Sequence, residues 1–146
     1  MSARTEAEVQ TLNSFLRGEI SAVETYKQAL DHVKAERLRS ELEELERDHE
    51  ARVAALRERI EKLGGQPVES SGVWGTFAKV VQAGADTVGE KAAIAALEEG
   101  EDHGLADYKR DVDQLHGEQR RFAKIELLPA QQRTHDRLSK LKKTLH

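Results

Sequence analysis

The chain has 146 residues with a formal net charge of −4, and 34% of them are charged, 38% hydrophobic and 4% aromatic. That length suits one domain with one continuous core, and leucine, alanine, glutamate and arginine at helical spacing with two prolines favour an all-α fold over a sheet. Basic residues are mixed with acidic ones along the same segments, which argues against a nucleic-acid partner, and the absence of cysteine excludes disulfides, thiolate zinc sites, iron-sulfur clusters and cysteine nucleophiles. Any metal must therefore rest on oxygen and nitrogen. The first ten residues, MSARTEAEVQ, hold no apolar run of the signal-peptide kind, and no stretch approaches the ~20 apolar residues of a membrane span, so a cytoplasmic protein with no membrane partner is expected.

Taken in order, Thr5-Glu6-Ala7-Glu8 fits a capping box that opens a first helix running to Leu30. Leu12, Phe15, Leu16, Val23, Tyr26 and Leu30 step along it by three and four, continuing to Val33, and Glu19 fills the gap between Leu16 and Val23. After a turn near Asp31 and His32, a second helix extends to Leu63, where Gly64, Gly65 and Pro67 end it. Its seam reads Leu38, Leu42, Leu45, His49, Val53, Leu56, Ile60 and Leu63, and Glu46 stands one turn before His49 as Glu-x-x-His. Residues 64 to 87 are long enough to travel the length of a bundle, and Trp74, Phe77, Val80 and Val81 suggest a short helix within that crossover. If Trp74 and Phe77 stood exposed, they would favour a homodimer.

The third helix is expected from Thr87 to Lys91 onward to about Leu115, with Gly117 as its stop and Ile94, Leu97, Glu101, Leu105, Tyr108, Val112 and Leu115 in its seam. The fourth carries Phe122, Ile125, Leu128, Gln132, His135, Leu138, Leu141 and Leu145, with a kink or restart at Pro129. The halves therefore match. Gly18-Glu19 with Tyr26 is repeated as Gly100-Glu101 with Tyr108, and Glu46-x-x-His49 is answered by Gln132-x-x-His135, which suggests two αα-hairpins related by a pseudo-twofold.

An isolated carboxylate in a bundle core would protonate or draw in water, so interruptions from four helices are understandable if they meet at one level. One way to satisfy them is a shared cation, since divalent iron, manganese and zinc accept carboxylate oxygen and imidazole nitrogen. The other is a metal-free layer in which Glu19, Glu101, Tyr26, Tyr108, His49 and Gln132 hydrogen-bond one another and fix helix register.

GEISAVETY, ERDHEARV, LGGQP, GEDHGLADY and Gln132-x-x-His135 after Leu128-Pro129 together resemble the ferritin-like superfamily, in its branch of small uncharacterised bacterial four-helix bundles. The resemblance implies a ferritin-like bundle of two hairpins joined by a long crossover, binding one or two metal ions, iron first and manganese or zinc as the other candidates. By the resemblance, Glu19, Glu46, His49, Glu101 and His135 are ligand positions and Tyr26 and Tyr108 orient the carboxylates. Gln132 departs from the family's second Glu-x-x-His; it is a neutral, weaker ligand, and Glu98 is the residue placed to shift inward and supply the missing charge. The implied chemistry is oxidation of ferrous iron or reduction of a peroxide, and the alternative is a non-enzymatic structural or stress-associated bundle with a metal-free layer.

Overall fold

The computed structural model describes residues 1–71 and 89–145. The expected crossover helix with Trp74, Phe77, Val80 and Val81, and the homodimer read from those rings, lie outside the described residues. Helix α1 (Ala3–Leu30) begins a turn earlier than the sequence suggested. Ser2, not Thr5, is its cap, with the Ser2 hydroxyl accepting the Thr5 amide at 3.1 Å. Glu8 is released from a capping role and instead turns inward, accepting the His116 amide at 2.8 Å.

Helix α2 (Glu36–Lys62) packs antiparallel on α1 after a short turn. That turn is tied on both sides. Arg39 Nη1 donates to the last carbonyl of α1, Leu30 at 2.5 Å, and to the Val33 carbonyl of the turn at 2.9 Å, while the Glu90 carboxylate accepts the amides of Lys34 and Ala35 at 3.2 and 3.3 Å. The C-terminus of α2 closes as the Gly64-Gly65 pair predicts, with Gly64 at φ +84° and the Gly65 amide returning to Ile60 at 3.0 Å. Helix α3 (Glu90–Asp111) packs against α1, and it ends before Gly117, passing through one 3₁₀ turn, Val112–Gln114. Gly117, expected as a stop, is the first residue of the next helix and uses φ +50° to turn the chain into it.

The fourth rod is built from α4 (Gly117–Phe122), a π-helical turn over Ala123–Leu127, and α5 (Leu128–Lys143). Pro129 cannot donate to the carbonyl four residues back, and its ring crowds that carbonyl. A wide turn just ahead of it, with the Leu128 amide bonded five residues back to Ala123, admits the ring without breaking the rod. The consequence is a change of register. The buried face runs through Phe122, Ala123, Leu127, Ala130, Gln131, Thr134 and Leu138, so that Gln131 and Thr134 take the inner places expected of Gln132 and His135. Ile125, expected inside, is 59% exposed, and Leu128 is only partly buried.

Two apolar clusters fill the bundle. One gathers Leu12, Phe15, Leu16, Leu56, Ile60 and Leu127, and the other Leu30, Leu38, Leu42, Leu45, Ile94 and Leu138. Each fully buried leucine or isoleucine contributes roughly 1.5–3 kcal/mol of transfer free energy, so the fold stands on these two blocks. Between them lies a layer of buried polar side chains: Glu19, His49, Arg52, Glu101, Gln131 and Thr134.

Candidate functional site

The layer is assembled around His49. Its ring stands between two carboxylates that come from different hairpins, with Nδ1–H donating to Glu19 Oε1 at 2.5 Å and Nε2–H to Glu101 Oε2 at 2.7 Å. The phenols cross over: Tyr26 of α1 donates to Glu101 Oε2 on α3, and Tyr108 of α3 donates to Glu19 Oε2 on α1, each at 2.5 Å. Arg52 lies one turn beyond His49 on α2. Its Nη1 reaches Glu19 Oε2 at 3.3 Å and also donates to Gln131 Oε1, while Nη2 donates to Thr134 Oγ1 at 2.9 Å. Gln131 Nε2 donates to both the backbone carbonyl and Oε1 of Glu101 at 2.9 Å, and the Thr134 hydroxyl donates to the same Oε1 at 2.8 Å. Every carboxylate oxygen of the layer accepts at least one hydrogen bond, as burial demands.

Burial alone would raise the pKa of Glu19, but the charge and hydrogen bond of His49, then Arg52 and Tyr108, bring it below the ordinary carboxylate value. Glu101 is likewise lowered, its burial outweighed by His49, Tyr26 and Thr134. Burial would lower His49, yet the two carboxylates raise it to about 9, so the imidazole is a cation at neutral pH. Burial also tends to lower Arg52, and Glu19 leads the groups that raise it instead. Tyr26 and Tyr108 are pushed well above their usual range, first by burial and then by the carboxylates they touch. Glu19 and Glu101 are negative and His49 and Arg52 positive, so these four charges balance, and the half-buried Asp48 meets Arg52 Nε at 3.3 Å from the rim of the layer.

The structure brings together Glu19, His49, Glu101, Tyr26 and Tyr108 and leaves the other expected ligands outside. Glu46 is only partly buried and faces Glu50, Lys27 and Glu43, where burial and then Glu50 raise its pKa. Gln132 bonds Asp136 at 2.9 Å, and His135 bridges Asp102 at 2.7 Å and Asp136 at 3.1 Å, all at the surface. Glu98 stays outward too, holding Lys142 at 2.7 Å. The residues missed were Arg52, a basic residue in the charge-rich α2, and Gln131 and Thr134, which the fourth rod turns inward beyond its π turn in place of Gln132 and His135. A signal for them was present. The spacing that takes Gly18 to Gly100, Glu19 to Glu101 and Tyr26 to Tyr108 also takes His49 to Gln131 and Arg52 to Thr134. In that frame Glu46 corresponds to Leu128, so the second half has neither acid nor imidazole to offer.

A cavity of about 210 Å³ between α1 and α3 leads to the layer, bordered by Gly18, Ala22, Gly100 and Gly104. Gly104 is required by what it faces, since a Cβ there would lie 2.7 Å from Gln131 Nε2. Among the described residues no group of three or more histidine or acidic side chains is arranged to hold a metal ion, and no helix is long and apolar enough to cross a membrane.

The profile of a domain of unknown function, DUF2383, matches residues 7–114. A crystal structure of ferritin-like, diiron-carboxylate proteins from Bacillus anthracis str. Ames superposes with a TM-score of 0.76 at 18% identity, covering 97% of this chain and 99% of that one. The bundle is thus a ferritin-like fold. No curated protein matches the chain.

Proposed function

We propose that this chain, which belongs to the DUF2383 family by a match over most of its length, is a metal-independent ferritin-like bundle with a structural, non-enzymatic role. The observation that carries this reading is Arg52: a guanidinium, 4% exposed, bonded into the layer where an ion centre would have to stand. Di-iron and di-manganese carboxylate bundles use a Glu from each of two helices and a Glu-x-x-His from each of the other two. Here Glu19 and Glu101 supply the first pair and His49 one imidazole, while Glu46 faces elsewhere and the fourth rod offers only Gln131 and Thr134. Two carboxylates cannot compensate a pair of divalent ions beside a fixed guanidinium, so the donor set does not fit a two-metal centre. The layer, in which Arg52 Nε alone among the described layer atoms lacks a hydrogen bond and meets Asp48 only as an ion pair at 3.3 Å, suits a different task. It fixes the axial register of the helices and joins the two hairpins through six side chains, because a slip of any helix strands a buried charge.

A second reading is favoured by the diiron-carboxylate description of the ferritin-like protein of similar fold: one ion held by Glu19, His49 and Glu101, iron first and manganese or zinc next. It requires His49 to give up a proton and Arg52 to withdraw. Elemental analysis of protein purified without metal-affinity steps, followed by titration with ferrous iron, manganese and zinc, decides between the two. The first reading expects less than about a tenth of an equivalent and no binding on titration; a stoichiometric ion overturns it in favour of the second.

A further inference from the structure

We infer that the Arg52 guanidinium is the resident cation of this layer, standing in the position of a divalent metal, and that it alone keeps Glu19, His49 and Glu101 from binding one. The inference rests on the metal-independent reading and deepens it. The geometry is in the contact shell of the guanidinium. Nη1 faces Glu19 Oε2 at 3.3 Å and Gln131 Oε1, and Nη2 faces Thr134 Oγ1 at 2.9 Å and His49 Nε2 at 3.3 Å. Glu101 Oε2 lies 2.7 Å from that same Nε2. A carboxylate, an imidazole, an amide oxygen and a hydroxyl, with a second carboxylate adjacent, are the donors that borderline divalent cations accept.

Charge decides which cation is held. With the guanidinium in place, adding a divalent ion and removing the His49 proton leaves an excess positive charge among side chains that are 2–4% exposed; the third carboxylate, Asp48, meets Arg52 Nε at 3.3 Å but is 30% exposed, so water screens it. Without the guanidinium, a neutral His49 and the two carboxylates are balanced by one divalent ion. Arg52 thus sets the specificity of the layer for no metal at all. The equivalent position on the fourth rod is Thr134, so one guanidinium serves both halves.

The test compares the wild type with Arg52→Gln, Arg52→Ala and Arg52→Lys by equilibrium dialysis against Co²⁺, visible absorption of bound Co²⁺, and thermal unfolding with and without the ion. Arg52→Gln and Arg52→Ala are expected to take up about one equivalent at least a hundredfold more tightly than the wild type, and to melt higher when loaded. Arg52→Lys, which keeps a cation, is expected to behave as the wild type. Adding Glu101→Gln to Arg52→Gln should abolish uptake. If neither neutral variant takes up Co²⁺, whether it folds alone or is not recovered by the ion, the inference is overturned while the metal-independent reading stands. Stoichiometric binding by the wild type overturns that reading as well.

Discussion

Gly104→Ala and Gly100→Ala put the same methyl group on the same helix four residues apart, and the structure assigns them opposite signs. In each case alanine removes the entropy penalty of a helical glycine, a gain of about 0.5–1 kcal/mol. At Gly100 the new Cβ meets nothing within 4 Å, so the gain stands alone. At Gly104 it falls 2.7 Å from Gln131 Nε2 and 3.1 Å from Cδ. The amide must retreat, yet it is 2% exposed and bonded at 2.9 Å to two oxygens of Glu101 and, through Oε1, to Arg52. Loosening hydrogen bonds to charged partners costs about 1.5–3 kcal/mol, which outweighs the helix gain. Gly104→Ala is therefore expected to lose about 1–2 kcal/mol, leaving a gap of about 2–3 kcal/mol between the two variants, or roughly 5–10 °C in Tm for a chain of this size. Urea and thermal unfolding followed by circular dichroism measure both. Adding Gln131→Ala should cancel most of the difference between glycine and alanine at position 104. Equal stability of the two single variants would refute the claim that Gln131 is a fixed member of the layer.

Three further outcomes are expected. His49 has its pKa raised to about 9 from an ordinary 6.5, so its contribution is complete below about pH 6.5 and is lost as pH climbs through 9, amounting to roughly 3 kcal/mol. Urea unfolding at pH 7 and at pH 9.5 should show that loss in the wild type and not in His49→Gln; parallel behaviour would contradict it. Glu19 has the opposite sign, its lowered pKa stabilising above the unfolded value near 4.5 and failing as pH falls through the folded one. Tyr108→Phe removes one of its donors, so the variant should lose about 1–3 kcal/mol at neutral pH and its acid-unfolding midpoint should move upward; an unmoved midpoint would refute that coupling. Thr134→Val deletes the hydroxyl that links Glu101 to Arg52 and should cost about 1–3 kcal/mol, whereas Gln132→Ala and His135→Ala, at the surface, should stay within about 0.5 kcal/mol. A larger effect at His135 than at Thr134 would mean the register of the fourth rod is other than described.

Periodicity made most of the bundle readable. All seven seam positions of the third helix, from Ile94 to Leu115, are buried, and so are Glu19 and His49 in the seams of the first two. Such seams are legible because an unbroken α-helix advances by a fixed angle per residue, so one correct position fixes the rest. The fourth rod breaks that premise. Its π turn brings Ala123 and Leu127 inside in place of Ile125, and Gln131 and Thr134 follow them, while Leu138 stays buried where expected. Arg52 escaped for a different reason. A basic residue in a charge-rich helix reads as solvated surface, and only its partners from two other helices, Glu19 and the pair Gln131 and Thr134, make burial tolerable.

Charge balance also accounts for the point at which the internal repeat gives out. Each half contributes one glutamate to the layer, so the layer needs two positive charges in total. His49 and Arg52 on α2 supply both. A faithful repeat would place a second histidine and a second arginine at positions 131 and 134, giving four cations against two carboxylates and crowding a guanidinium into the space that Gly104 leaves for an amide. Gln131 and Thr134 are neutral and smaller, and they still donate to Glu101 while accepting from Arg52. The asymmetry between the hairpins is therefore what a neutral, metal-free layer requires: two acids shared between the halves, and both cations on one side.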